Sequence, residues 1–270
     1  QARAGRLTLL CNDSNRGFVA SVNRGMALHP DRDVVLLNSD TEVANDWLDR
    51  IVRCADGAPK IATVTPFSNN GTICSYPFDG WQGATPGTLG LAGLDALFAE
   101  TLAGRMVEIP TAVGFCMCIR RDCLDAIGAF NERVFGRGYG EENDFSLRAA
   151  KAGWRNVLCA DTFVYHEGGV SFGSERADLL RNAAQALLTL HPDYDERVVS
   201  FLANDPVSEF REAIDLARAR RGGDEGAAVM AERHLERQKW RVPPTSVCDA
   251  PRSMRQQWLE LLDASAIRLD

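Results

Sequence analysis

The sequence predicts an α/β fold, a sheet flanked by helices, and three observations carry that expectation. Val34-Val35-Leu36-Leu37 is an unbroken apolar run, the pattern of a strand covered on both faces of a parallel sheet. Strand-like and helix-like segments alternate from the N-terminal region to about residue 166, the order from which crossover helices build a sheet. From about residue 176 the pattern turns helical.

Each element has a local reason. Leu7-Thr8-Leu9-Leu10-Cys11 reads as a short buried strand that leaves through the loop Asn12-Asp13-Ser14-Asn15. A helix is expected over 17–28, with Phe18, Val22 and Met26 on one face and His29-Pro30 ending it. The Val34 strand opens into Asn38-Ser39-Asp40-Thr41, and a second helix over 46–55 should bury Trp47, Leu48, Ile51 and Val52 before closing at Gly57. Residues 61–65 read as a strand that Pro66 should stop, since proline offers no N–H to a ladder. Residues 68–104 are rich in Gly, Pro, Asn and Thr around one weak helix over 94–102; so long an irregular stretch inside a domain marks a functional loop region.

The second half is more regular. A strand is expected over 111–120, a helical turn over 122–127 capped by Gly128, a helix over 144–152 ended by Gly153, and a strand over 156–165 finishing at His166. A helix over 176–190 carries Leu179, Leu180, Ala183, Ala184, Leu187 and Leu188 along one stripe, and a more charged helix spans 207–221. Gly222-Gly223 breaks the pattern, after which a charged helix, a Pro243-Pro244 break and a last short helix follow.

Composition bounds the function. The 270 residues, 45% hydrophobic and 25% charged, supply one good core with room for a small extra module. The 30 Lys and Arg against 37 Asp and Glu leave a net charge of -7, which argues against a nucleic-acid-binding surface, because that requires a cationic face. No apolar run approaches the roughly 18 residues of a membrane span, and Gln1 to Gly5 lack the basic-then-apolar pattern of an export signal. A cytoplasmic location, or a peripheral one at the inner face of the membrane, is therefore expected. The eight cysteines (Cys11, Cys54, Cys74, Cys116, Cys118, Cys123, Cys159 and Cys248) fall mostly in apolar stretches without metal-ligand spacing, so they read as small buried hydrophobes of a reducing compartment.

Three clusters carry chemistry. Asp40 follows the carboxyl end of a buried strand, where open α/β sheets bind ligands, so Asn38, Ser39 and Asp40 set an amide, a hydroxyl and a carboxylate at the mouth of the sheet. A hard divalent ion that also binds diphosphate oxygens needs one or two protein carboxylates; an Asn-x-Asp after a strand equally serves as a turn. In Gly138-Tyr139-Gly140-Glu141-Glu142-Asn143-Asp144, three carboxylates fall within four residues at a helix start. Either Asn143 or Asp144 caps that helix, or a partly desolvated acid there serves as a general base. His166 ends a strand just ahead of Gly168-Gly169, glycines that let backbone and imidazole approach a ligand together. With Asp40 it would make a mixed oxygen and nitrogen site suited to Mn²⁺ or Mg²⁺. His29, His191 and His234 lie at helix ends or on charged helices and carry no such signal.

Taken in order, Asn15-x-Gly17-Phe18, Asn23-x-Gly25, Leu36-Leu37-Asn38-Ser39-Asp40-Thr41, Trp47-Leu48, Gly114, Ile127-Gly128-x-Phe130-Asn131-Glu132, the Gly138 to Phe145 segment, Arg148 and His166 closely resemble family 2 glycosyltransferases of the GT-A fold, over about residues 6–173. The resemblance implies a GT-A-like, Rossmann-like mixed sheet followed by C-terminal helices. It also implies an inverting transfer of a sugar, of hexosyltransferase type, from a nucleotide-diphosphate donor to an acceptor hydroxyl in polysaccharide, lipid-linked or cell-surface glycan synthesis. Asn38-Ser39-Asp40 stands at the family's Asp-x-Asp motif with Asn in first place, leaving Asp40 as a metal ligand beside His166; Asn15, Asn23, Asn38, Ser39 and Asp40 then serve the donor. Glu142 matches the family's base, with Glu in place of Asp, so Glu141 and Asp144 stay open as alternatives. Trp81, Gly114 and Tyr139 are assigned by position to a glycan, lipid-linked or protein acceptor.

Family members open with two further strands, and the Leu7 strand corresponds to the third. Together with the start at Gln1, this leads us to expect a longer polypeptide that supplies the rest of the nucleotide pocket. The expected plan is a partial GT-A domain over 1–175, a helical extension packed on it over 176–222, and a helical linker or the start of a further module over 223–270. Two readings from other classes compete: a catalytically silent remnant acting as an interaction module, and a metal-dependent nucleotidyltransferase, whose chemistry has less need of the 141–144 acids.

Overall fold

The computed structural model describes residues 8–80, 89–168 and 176–222. In chain order the elements are α1 (Phe18–Met26), β1 (Val34–Leu37), β2 (Thr41–Glu42), α2 (Trp47–Asp56), β3 (Ile61–Ser68), α3 (Gly90–Thr101), β4 (Met106–Glu108), β5 (Cys116–Ile119), α4 (Arg121–Ile127), α5 (Glu132–Phe135), α6 (Glu141–Lys151), β6 (Arg155–His166), α7 (Arg176–Leu190), α8 (Tyr194–Asn204) and α9 (Ser208–Gly222). The strands pair in the order β1-β5-β3-β6-β2, with β4 also on β6. β3 and β6 run parallel, and the other pairs are antiparallel. This is the mixed, helix-flanked sheet that the resemblance implies.

β6 organises the molecule. Its first half lies between β3 and β4, and its last two residues pair with β2, setting Thr41 opposite His166 and Glu42 opposite Tyr165. One apolar cluster joins Val19, Met26, Met117, Phe130 and Phe145 to Ala183 and Leu187 of α7. Another joins Phe67, Tyr76, Phe98 and Phe163 to Phe210 and Ile214 of α9. Two of the C-terminal helices therefore contribute side chains to the same apolar clusters as the sheet.

Several expectations need correction. Residues 8–11 form no strand, and Leu7 lies outside the described residues. β1 is not a doubly covered parallel strand: among the described residues it pairs on one side, antiparallel, with β5, and it stays half-exposed. Pro66 does not stop β3, because the β3–β6 register shifts between Pro66 and Phe67, and an irregularity in the ladder tolerates a missing N–H. The expected strand over 111–120 shortens to Cys116–Ile119, and β4, α5 and α8 had no counterpart in the periodicity.

α2 turns a different face inward. Leu48 and Val52 are 43% and 46% exposed while Arg50 is buried. The Arg50 guanidinium donates to Asp95 at 2.7 Å and to Thr162 Oγ1 at 3.1 Å, and Asp95 also accepts from the Phe163 amide. A paired and hydrogen-bonded charge tolerates burial, so this ion pair sets the helix rotation against its apolar pattern. The described cysteines are free thiols, most of them buried, and burial pushes Cys116, Cys118 and Cys123 up to about 12. Cys248 and the rest of 223–270 lie outside the described residues.

Candidate active site

Asn38, Ser39 and Asp40 form a step between two ladders. The Asn38 amide donates to Phe115 O at 2.9 Å, at the end of the β1–β5 pair, and the Glu167 amide donates to Asp40 O at 3.0 Å, at the end of the β2–β6 pair. Thr41 closes the step by donating its amide and its hydroxyl to Asn38 O, at 3.3 and 2.6 Å. The step brings Asp40 Oδ2 to 3.5 Å from His166 Nε2, and Phe115 stacks on the imidazole with ring centroids 5.3 Å apart.

The ring has a defined tautomer. His166 Nδ1 lies 2.8 Å from Asn70 O, and a carbonyl only accepts, so Nδ1 carries a hydrogen, and in the neutral ring the lone pair sits on Nε2, toward Asp40. A carboxylate oxygen and an imidazole lone pair facing each other are a donor set that fits a divalent cation of Mn²⁺ or Mg²⁺ type. No cluster of three or more such side chains exists among the described residues, so substrate and water would complete the coordination of such an ion.

The acids occupy the first turn of α6. Gly140 caps the helix in the left-handed region, at φ 85°, so neither Asn143 nor Asp144 is its cap. Gly138, Tyr139 and Gly140 all have positive φ (123°, 69° and 85°), and the half-buried Tyr139 is strained there by about 1–2 kcal/mol. Glu141 is 6% exposed, and among the described residues Glu141 Oε2 and Glu142 Oε2 are both enclosed without a hydrogen-bond partner. Burial, then the neighbouring Glu142 charge, pushes Glu141 up to about 9. Burial also raises Glu142, against the backbone amides of Glu142, Gly140 and Asn143 that lower it. Tyr194 of α8 is near enough that, after burial, the Glu142 charge raises its phenol as well.

Gly114 and Phe115 join the two halves of the site. A Cβ at Gly114 would stand 3.9 Å from Glu142 Cγ, and the next residue stacks on His166. Glu142 and His166 thus lie against two consecutive residues, whose Cα atoms are about 3.8 Å apart.

Other expected residues have different surroundings. Asp144 is fully engaged, by His191 Nε2 on Oδ1 and Arg148 Nε on Oδ2, each at 2.8 Å. The Asn23 carboxamide is committed to the Phe130 peptide, donating at 2.9 Å and accepting at 3.1 Å, and Asn15 Oδ1 accepts from the Gly17 amide. Trp81 lies outside the described residues. Sequence patterning misses Asn69, Asn70 and Tyr194; the paired asparagines directly after β3 were the one signal for the first two. Grooves of about 340 and 570 Å³ flank Trp154, and neither is lined by Asp40, Glu142 or His166.

Two solved structures are similar in part. A mannosyltransferase from Pyrobaculum calidifontis, in complex with GDP-Man and Mn²⁺, aligns over 96% of this chain and 68% of its own, at 16% identity and a TM-score of 0.49. GalNAc-T7 with UDP, GalNAc and Mn²⁺ aligns over 76% of this chain and 42% of its own, at 14% identity and a TM-score of 0.44. Uncharacterized proteins of Mycobacterium bovis and Mycobacterium tuberculosis are 32% identical over 77 residues, 27% of this chain. One from Sinorhizobium fredii is 28% identical over 169 residues, 58% of this chain. The aligned stretches span 30% of the mycobacterial relatives and 18% of the Sinorhizobium one. The model of the glycosyltransferase-like family 2 matches residues 2–185, well over half of the sequence, and the chain belongs to that family.

Proposed function

We propose that the chain carries the catalytic part of an inverting glycosyltransferase, which moves a hexosyl group from a nucleotide-diphosphate sugar to a hydroxyl of a glycan, lipid-linked or protein acceptor. The observation that supports this reading is the pair of enclosed oxygens, Glu141 Oε2 and Glu142 Oε2, that find no partner among the described residues, with Glu142 beside Gly114. A buried polar atom without a partner costs about 1–3 kcal/mol; an arriving hydroxyl group offsets that cost.

Glu142 is the base. It takes the proton of the acceptor hydroxyl as that oxygen forms a bond to the anomeric carbon, while the bond from that carbon to the diphosphate oxygen breaks on the opposite face. The upward shift that burial gives Glu142 strengthens it for this task. Glu141 is raised by the same burial and by the Glu142 charge, so the two carboxyls titrate as a pair, and while the pair keeps one proton Glu141 holds a substrate oxygen as a donor. Asp144, engaged by His191 and Arg148, takes no part in proton transfer.

Asp40 and His166 would hold a Mn²⁺ or Mg²⁺ ion, which when bound would supply neutralisation of the charge developing on the leaving diphosphate. Asn38 and Ser39 face the donor from the same step, and Phe115 shields one side of the imidazole from water. The catalytic unit is assigned to 1–175 with 176–222 packed on it; the side chains that α7 and α9 lend to the apolar clusters support this division.

The test is a screen of nucleotide-sugar donors with the full-length protein, followed by Glu142→Gln. Loss of transfer by about 100-fold or more, with UDP or GDP binding unchanged, is the expected result. Turnover retained in Glu142→Gln would move the base to Glu141.

A further inference from the structure

Asn69 and Asn70 follow β3 and touch the end of β6. The parallel pairing of these strands ends at Ser68 and Val164, and beyond it the Asn69 carboxamide brackets the His166 peptide. Its Oδ1 accepts from the His166 amide at 2.8 Å, and its Nδ2 donates to His166 O at 3.0 Å. Asn69 is 2% exposed, so these bonds satisfy buried backbone groups that the ladder no longer serves.

Asn70 acts on the ring and on the segment that follows it. Its carbonyl receives the Nδ1 hydrogen at 2.8 Å. Its own amide donates to Ser68 Oγ at 3.1 Å, and its side chain donates to Glu167 O at 3.3 Å. The last bond depends on Gly168, which has φ +71° and whose missing Cβ would otherwise collide with Asn70 Nδ2. The space at Gly168 thus admits this asparagine, where the sequence pointed to a ligand.

We propose that Asn69 and Asn70 are positioning residues of the Asp40–His166 pair: the Asn69 bracket sets the place of the histidine backbone, and the Asn70 carbonyl selects the tautomer that turns Nε2 to Asp40. This rests on the metal reading given above. A histidine free to carry its hydrogen on Nε2 cannot ligate from that atom, and a ring without a fixed partner loses rotational freedom when it binds. Removing an outer partner of a ligating histidine costs about 10–100-fold in metal affinity.

The experiment has two readouts, neither of them turnover. In metal-free protein, ¹⁵N spectra of the imidazoles, with the His166 signals assigned by His166→Gln, should show hydrogen on Nδ1. Titration with Mn²⁺ alone, followed by electron paramagnetic resonance, should show affinity falling about 10-fold or more in Asn69→Ala and in Gly168→Ala, with circular dichroism reporting that each is folded. Gly168→Ala displaces the Asn70 amide and strains the backbone at φ +71° while leaving Asn69 and His166 themselves in place, so it keeps the proposal open to refutation if Asn69→Ala does not fold. Hydrogen on Nε2 in the wild type, or Mn²⁺ affinity within twofold of wild type in the folded variants, overturns the positioning roles. Wild-type protein that takes up no Mn²⁺, or unchanged affinity in Asp40→Ala, overturns the metal reading itself.

Discussion

His191 Nε2 and Asp144 Oδ1 meet 2.8 Å apart inside the protein, with 4% and 2% of their side chains exposed. Lys151 Nζ, which can only donate, stands 2.9 Å from the other ring nitrogen, so the ring accepts at Nδ1 and donates to the carboxylate from Nε2. Arg148 takes the second Asp144 oxygen and also reaches Ile127 O and Ala129 O. Of the three acids in this turn, Asp144 ties α6 to its neighbours, and the two glutamates each keep one enclosed oxygen without a partner among the described residues.

Stability should divide the acids in the same way. His191→Ala strands a buried carboxylate oxygen and should cost about 2–3 kcal/mol in urea unfolding. Glu142→Gln removes a charge that burial disfavours and should leave stability equal or higher. A His191→Ala protein as stable as wild type would return Asp144 to the candidates for the base.

The pH dependence of stability has a definite sign. The unfolded chain releases the Glu141 proton above the ordinary value of 4.5, whereas the folded protein holds it up to about 9. Stabilisation from this group is therefore complete below about 4.5 and is lost as pH rises toward 9; Glu142, raised by burial too, adds to the same slope. Glu141→Gln should be more stable than wild type by about 1–3 kcal/mol at pH 8 and nearly equal to it at pH 5. Denaturant midpoints at the two pH values check this, and an equal difference at both would contradict it.

The Arg50–Asp95 pair should behave as a buried charge pair. Asp95→Ala leaves the guanidinium enclosed and should cost about 3–5 kcal/mol. The double variant Arg50→Met with Asp95→Asn should recover at least half of that loss, because it removes both charges and keeps an acceptor for the Phe163 amide. A double variant no more stable than Asp95→Ala would show that the helix rotation depends on the charges themselves.

Two glycines flanking one helix should respond in opposite directions. Gly17 has φ +82°, and a Cβ there would run into Gly136 O, so Gly17→Ala should destabilise by more than about 1 kcal/mol. Gly25, near the end of α1, has open space around its Cβ position, and Gly25→Ala should stabilise by about 0.5–1 kcal/mol. Thermal unfolding of the two variants decides it.

What the sequence reveals depends on whether the signal is local. The Val34–Leu37 strand and the 176–190 helix are legible because their apolar periods report directly on backbone geometry. Asp40, Glu142 and His166 stand out by chemical type at element ends. The pairing of Thr41 with His166 is not legible, because register is a property of two distant segments. Arg50 looks like a surface residue until Asp95 and Thr162 are seen around it. Asn69 and Asn70 look like loop polarity, since a carboxamide reads the same whether it faces water or a peptide. His191 carries no signal at all without Asp144 beside it.

The end of β6 also makes the site a matter of parity. Side chains alternate sides along a regular strand, and β6 is regular again from Phe163, so a single residue inserted after Val164 would bring Tyr165 to the place opposite Thr41 and turn the imidazole away from Asp40. A two-residue insertion would keep the facing sense and offset the ring along the strand by about 7 Å. The stretch from Phe163 to His166 thus acts as a ruler, and length changes within it threaten the site more than substitutions of the same number of residues.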